Sequence, residues 1–118
     1  MGAVVVTLST PNPVDFFGSQ KVVFGTLHLS TSYATAGDSF TNSQFGLEEI
    51  TFLDIQTANG ASLTTAWQLV ANLPTTTGLT AAGTIQAFGT AGSAGALAEA
   101  TSTTDLHTFV ANFMAIGW

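Results

Sequence analysis

The sequence predicts an all-β chain, folded as a single-domain antiparallel β-sandwich of jelly-roll-like type with about seven or eight strands. Three observations carry this reading. Runs rich in β-branched and aromatic residues alternate apolar and polar side chains. Turn signals recur between those runs. No stretch keeps an apolar 3.6-residue period beyond two turns. Many short strands separated by turns are the pattern of a sandwich or barrel. A length of 118 residues suits one domain.

Val4, Val5, Val6, Thr7 and Leu8 form the first element, a β-branched run that ends before Pro11-Asn12-Pro13. The two prolines enforce extended or turn geometry. Residues 1–13 therefore read as an N-terminal strand or arm, and 14–118 as the sandwich domain. Residues 21–30 are a strand with Val22, Phe24, Thr26 and His28 on one face and Val23, Gly25, Leu27 and Leu29 on the other. Both faces are largely apolar, which places the strand centrally in a sheet. Residues 31–47 read as a loop. Thr41 and Gln44 have capping-box spacing and Gly46 sits at a helix C-cap position, which allows one helical turn.

Residues 48–57 alternate as a strand, with Ile50, Phe52, Asp54 and Gln56 opposing Thr51, Leu53 and Ile55. Asn59-Gly60 is a hairpin signal. Residues 62–73 come next as a strand that Pro74 stops. Residues 83–90 form another, and Gly89, Gly92 and Gly95 mark a turn. Residues 96–103 start a further strand or remain loop. Residues 106–116 are the last strand, with Leu106, Thr108, Val110, Asn112, Met114 and Ile116 opposing His107, Phe109, Ala111, Phe113 and Ala115.

Composition narrows the function. Hydrophobic residues make up 46% of the chain and charged ones 7%, against about 25% charged in ordinary domains. The net charge is −6, and Lys21 is the only basic residue of the Lys/Arg type. Twenty Thr and nine Ser keep the chain polar without ionising it. Residues 55–98 contain no Asp, Glu, Lys or Arg. A folded monomer of this mass exposes roughly 6,000 Å², which leaves about one charged side chain per 750 Å². Soluble monomers carry more, with both signs interspersed. Much of this surface is therefore expected to be covered by partners.

One Lys cannot neutralise a run of phosphates, so no nucleic-acid partner is expected. The same shortage excludes a polybasic membrane anchor, and no window approaches 18 consecutive apolar residues. The start of the chain carries no positive side chain ahead of its short apolar run, so no secretory signal is expected. There is no cysteine, so disulfides, zinc–thiolate sites and cysteine nucleophiles are impossible.

Candidate chemistry is sparse. Glu48 and Glu49 are neighbours on a strand and point to opposite faces. Glu48 and Asp54 lie about 20 Å apart by strand rise, too far for a glycosidase pair, whose carboxyl groups are roughly 5–10 Å apart. These three read as a solvated strand end. His28 and His107 lie on different predicted strands and meet only if the fold joins them. They read as ordinary strand histidines, because a two-histidine metal site needs further ligands. A cleft bringing either one beside a carboxylate would instead indicate an enzyme. Asp38 reads as a turn residue bonding nearby backbone rather than a calcium ligand. No G-x-S-x-G, dinucleotide fingerprint or phosphate loop occurs. No catalytic residue, metal or cofactor is therefore expected. Trp67 reads first as core. Trp118, beside Gly117, reads as a docking or subunit-contact residue, and the run Val4, Val5, Val6 and Leu8 as an arm that adds a strand to a neighbour's sheet edge.

Two segments carry a family resemblance. One is Lys21-Val22-Val23-Phe24-Gly25-Thr26-Leu27, succeeded by Ala36-Gly37-Asp38-Ser39-Phe40-Thr41 and by residues 45–53, FGLEEITFL. The other is Thr104-Asp105-Leu106 with Phe113-Met114-Ala115-Ile116-Gly117. Their order resembles the head decoration, or cement, proteins of tailed bacteriophages, small virion proteins of jelly-roll type. The resemblance covers about residues 20–55 and 98–118. It implies a β-sandwich, a homotrimer seated on the major capsid protein at the outside of a phage head, manufacture in the bacterial host cytoplasm, and no catalysis. The alternative reading is a carbohydrate-binding or adhesive β-sandwich of a fibre or tail, with Trp67 and Tyr33 as exposed stacking platforms.

Overall fold

A computed structural model of the chain describes residues 2–9, 14–56, 67–90 and 97–118. These form nine strands and a single 3-10 turn: β1 Val5–Leu8, β2 Val14–Phe17, β3 Gln20–His28, β4 Asp38–Thr41, the 3-10 turn Asn42–Phe45, β5 Ile50–Gln56, β6 Gln68–Asn72, β7 Ala82–Thr90, β8 Leu97–Glu99 and β9 Ala111–Gly117. All strand pairings are antiparallel. Two sheets pack face to face, so the fold class is the one the alternation predicts. The strand count among the described residues is nine rather than seven or eight.

The five-stranded sheet runs β1-β3-β9-β5, with β2 also on β3. β1 pairs with the second half of β3 and β2 with the first half. The other sheet repeats this device. β7 is central, β6 lies on one side, and β4 and β8 share the other. Two long strands thus each hold two short ones. β2 and β4 are four residues long, too short for alternation to declare them, and pairing with a long neighbour creates them. Residues 31–47 are accordingly not all loop.

The 3-10 turn has the capping that its sequence suggests. The Thr41 N–H donates to Gln44 Oε1 at 2.9 Å. Gly46 closes the turn at φ 72°, a left-handed conformation that glycine adopts without strain. Phe45 from this turn ties the sheets together. Its ring meets Phe40 of β4 edge-on at 5.4 Å and Phe113 of β9 at 4.9 Å, the perpendicular arrangement that aromatic quadrupoles favour. Val23, Leu27, Ile50, Leu69, Ile85, Ala111 and Ala115 complete the layer between the sheets.

Three sequence expectations need correction. First, Ile50 and Phe52 do not share a face. The β5–β9 register shifts between them, so Ile50 pairs with Gly117 and Phe52 with the adjacent Ile116. The inserted Thr51 donates its hydroxyl to Ile116 O at 3.0 Å. A bulge of this kind reverses the facing of the residues beyond it: Ile50 is buried and Phe52 exposed. Second, the last strand begins at Ala111, because residues 106–109 turn, with the Phe109 N–H donating to Leu106 O at 3.1 Å. Third, of the strand or arm read at the N-terminus the structure shows the strand, β1 on this chain's own β3, and not an arm on a neighbour. Val4 is 2% exposed and belongs to the core. Its N–H donates to Ser39 O at 2.8 Å, and its carbonyl accepts Gln44 Nε2 at 2.8 Å. The link 11–13, the hairpin signal at 59–60, the first part of the 62–73 strand and the glycine turn beyond Thr90 lie outside the described residues.

Candidate interaction face

β3 is the place to begin, because its two faces are both apolar and only one lies against the second sheet. Val23, Gly25 and Leu27 are buried against the second sheet. Val22, Phe24, Thr26 and His28 point the other way, where Phe24 is exposed, Val22 and Thr26 are half-buried and His28 meets the ring of His107. The register carries this pattern across the sheet. Val22 lies opposite Ile116, and Ile116 opposite Phe52. Phe24 lies opposite Met114, and Met114 opposite Asp54. The next row is polar: Thr7, Thr26, Asn112 and Gln56.

Val22, Phe24, Phe52, Met114 and Ile116 therefore form one apolar patch on the outer sheet face, Phe24 and Phe52 exposed and the other three half-buried. Phe24 is 41% exposed and Phe52 48%, values unusual for rings that a monomer would bury. Asp15, paired with Val22 at one end, and Asp54 at the other are the acids at its margins. Trp118 comes two residues after Ile116, in step with the alternation of β9, and is 47% exposed. Its backbone is held firmly: the Glu48 and Glu49 N–H groups donate to its carbonyl at 2.7 and 3.1 Å, and its own N–H donates to Glu49 O at 3.2 Å.

The residues predicted as contacts divide. Trp118 and Val5 are exposed, and Val5 lies opposite His28 at the far end of the same sheet. Val4 is buried, and Val6 and Leu8 pack against the core, so these three serve this chain's own fold instead of a neighbour's. Phe24 is legible only indirectly, through the two apolar faces of the β3 segment, and Phe52 and Met114 join it only through the register of β5 and β9.

The remaining polar candidates have mostly structural surroundings. Asp38 is fully buried and accepts the Ser30 and Ala34 N–H groups at 2.7 and 2.9 Å, the backbone-bonding role its turn position suggests. Tyr33 is 1% exposed, so it is no stacking platform. Its hydroxyl donates to Glu99 Oε2 at 2.7 Å and accepts the Ala87 N–H at 3.1 Å. Burial and the Glu99 bond hold the Tyr33 phenol above its ordinary pKa, while the same bond holds the Glu99 carboxyl below its own. Trp67 packs against the core, its ring so close to Gly89 that a Cβ there would lie 2.8 Å away.

His28 and His107 do meet. Their ring centres are 6.5 Å apart and the rings nearly perpendicular. Asp105, which the sequence marks only within Thr104-Asp105-Leu106 and not as a site residue, bonds His107 Nδ1 at 2.5 Å and is held below its ordinary pKa by that bond. This is a histidine beside a carboxylate, on an exposed turn rather than in a cleft: His107 is 46% and Asp105 57% exposed. Among the described residues no group of three metal-ligating side chains occurs.

No protein-family model matches the chain, and neither the curated proteins nor the solved structures offer a match.

Proposed function

We propose that this protein is a structural component of a phage particle, a head decoration protein that docks through the outer face of its five-stranded sheet and reinforces the shell without catalysis. The observation that carries the reading is the outward-facing apolar patch of Val22, Phe24, Phe52, Met114 and Ile116, with both phenylalanine rings exposed. Exposed contiguous apolar surface marks a contact site, and it agrees with a chain too poor in charge to leave its surface bare. The family resemblance supplies the kind of particle and the trimer. A ligand that binds only the assembled shell stabilises it by mass action, and apolar burial contributes at about 25 cal/mol per Å². The adhesive alternative has less support, since Tyr33 is buried and Trp67 is packed on Gly89.

Co-sedimentation with expanded heads from a parent phage stripped of this protein tests the proposal. Saturable binding at a fixed number of copies per head is expected. No binding to heads, together with binding on a glycan array that Trp67→Ala abolishes in a folded protein, would favour the adhesive reading.

A further inference from the structure

The histidine pair has properties that docking does not use. His28 ends β3. The Leu106 N–H donates to Ser30 O at 3.0 Å, which draws the 105–109 turn beside that strand end and sets His107 next to His28. Each ring is then fixed by its Nδ1. His28 Nδ1 lies 2.9 Å from Leu29 O. A carbonyl only accepts, so the proton sits on Nδ1. His107 Nδ1 faces an Asp105 carboxylate oxygen, which also accepts. In the neutral tautomer these contacts favour, each imidazole carries its proton on Nδ1 and keeps the lone pair on Nε2.

This is the outer-sphere arrangement of metal-binding histidines, in which a carbonyl or carboxylate holds one nitrogen and the other ligates. With Zn–N distances of about 2.1 Å, two imidazoles on one ion have centres roughly 5–6 Å apart. The observed 6.5 Å lies above this range, so the exposed His107 ring has to swing toward His28 for both Nε2 atoms to reach one ion. Electrostatics favour a cation as well. The chain carries −6, and its single Lys, Lys21, lies seven residues up β3, about 23 Å away by strand rise.

We propose that His28 and His107 form a two-imidazole surface site for a late divalent transition ion, with Asp105 as the positioning residue and water completing the coordination. Imidazole donors select Zn²⁺, Cu²⁺ or Ni²⁺ over Mg²⁺ and Ca²⁺. The site shares the outer face of β3 with the docking patch, at its other end, but does not rest on the function proposed above.

The test is a titration of the full-length ¹⁵N-labelled protein with ZnCl₂ alone, monitoring the side-chain nitrogens of both histidines. Both Nε2 signals should shift together and saturate at one equivalent, and MgCl₂ should move neither. His28→Asn or His107→Asn should each weaken binding at least about tenfold, and Asp105→Asn about tenfold with both ligands retained. A response of His107 alone, or undiminished affinity in either histidine variant, would overturn the proposal. The wild-type titration decides the matter even if a variant folds poorly.

Discussion

Phe24 and Met114 lie directly opposite each other in the β3–β9 register, on the face of the sheet turned away from the second sheet. Phe24 is 41% exposed. One step along the same ladder, Val23 and Ala115 are also paired and are wholly buried. The two faces of one pair of strands thus have the same chemistry and opposite surroundings. Substitutions on the two faces should behave differently.

Phe24→Ser and Phe52→Ser should cost the isolated protein no more than about 1 kcal/mol, because much of each ring is already in water. Phe45→Ala removes the ring that joins Phe40 to Phe113 and should cost about 3–5 kcal/mol. Urea denaturation of the three variants checks this. Equal losses would mean that the outer rings are structural.

Removal of residues 1–10 should destabilise the domain by about 3 kcal/mol or more, since it takes Val4, Val6 and Leu8 from the core and strips β1 from β3. An arm that merely reached a neighbour would leave the melting temperature unchanged. An unchanged melting temperature would contradict the packing described for Val4.

Tyr33→Phe should cost about 1–3 kcal/mol, because it removes the donor to Glu99 and leaves the buried Ala87 N–H without its acceptor. The pH dependence has a definite sign. The folded phenol pKa lies above the unfolded value of about 10. Its contribution is fully present below pH ~10 and is lost as pH rises toward the folded value. Glu99 has a lowered folded pKa, so its contribution is present above pH ~4.3 and fades as pH falls through the folded value. Denaturation curves of wild type and Tyr33→Phe at several pH values should converge at high pH. Curves that stay parallel would contradict the assignment.

Attachment through the outer face should persist in 1 M NaCl, since Asp15 and Asp54 are marginal to an otherwise uncharged patch and screening has little to act on. Release of the protein from heads by salt alone would show that charges, not the apolar patch, hold it.

The long strands are readable because their alternation runs far enough to be unambiguous: the facing of β3, and of β9 from Ala111 onward, is set by sequence. β2 and β4 are not, because four residues hold too little pattern and their existence depends on β3 and β7. Alternation puts Phe52 on the face of Ile50, because a bulge at Thr51 leaves no mark in composition. The patch is half visible. Two apolar faces on β3 imply burial on both sides, and the second sheet covers only one of them. The meeting of His28 with His107 is invisible, since it depends on a backbone bond between Leu106 and Ser30.

Hydroxyl-radical footprinting of the protein, free and then assembled on heads, tests the central claim most directly. Oxidation of Met114, Phe24 and Phe52 should fall sharply on assembly, while exposed Val70 and Leu79, which lie off the five-stranded sheet, serve as references. Equal oxidation of Met114, Phe24 and Phe52 in the free and assembled states would contradict the account.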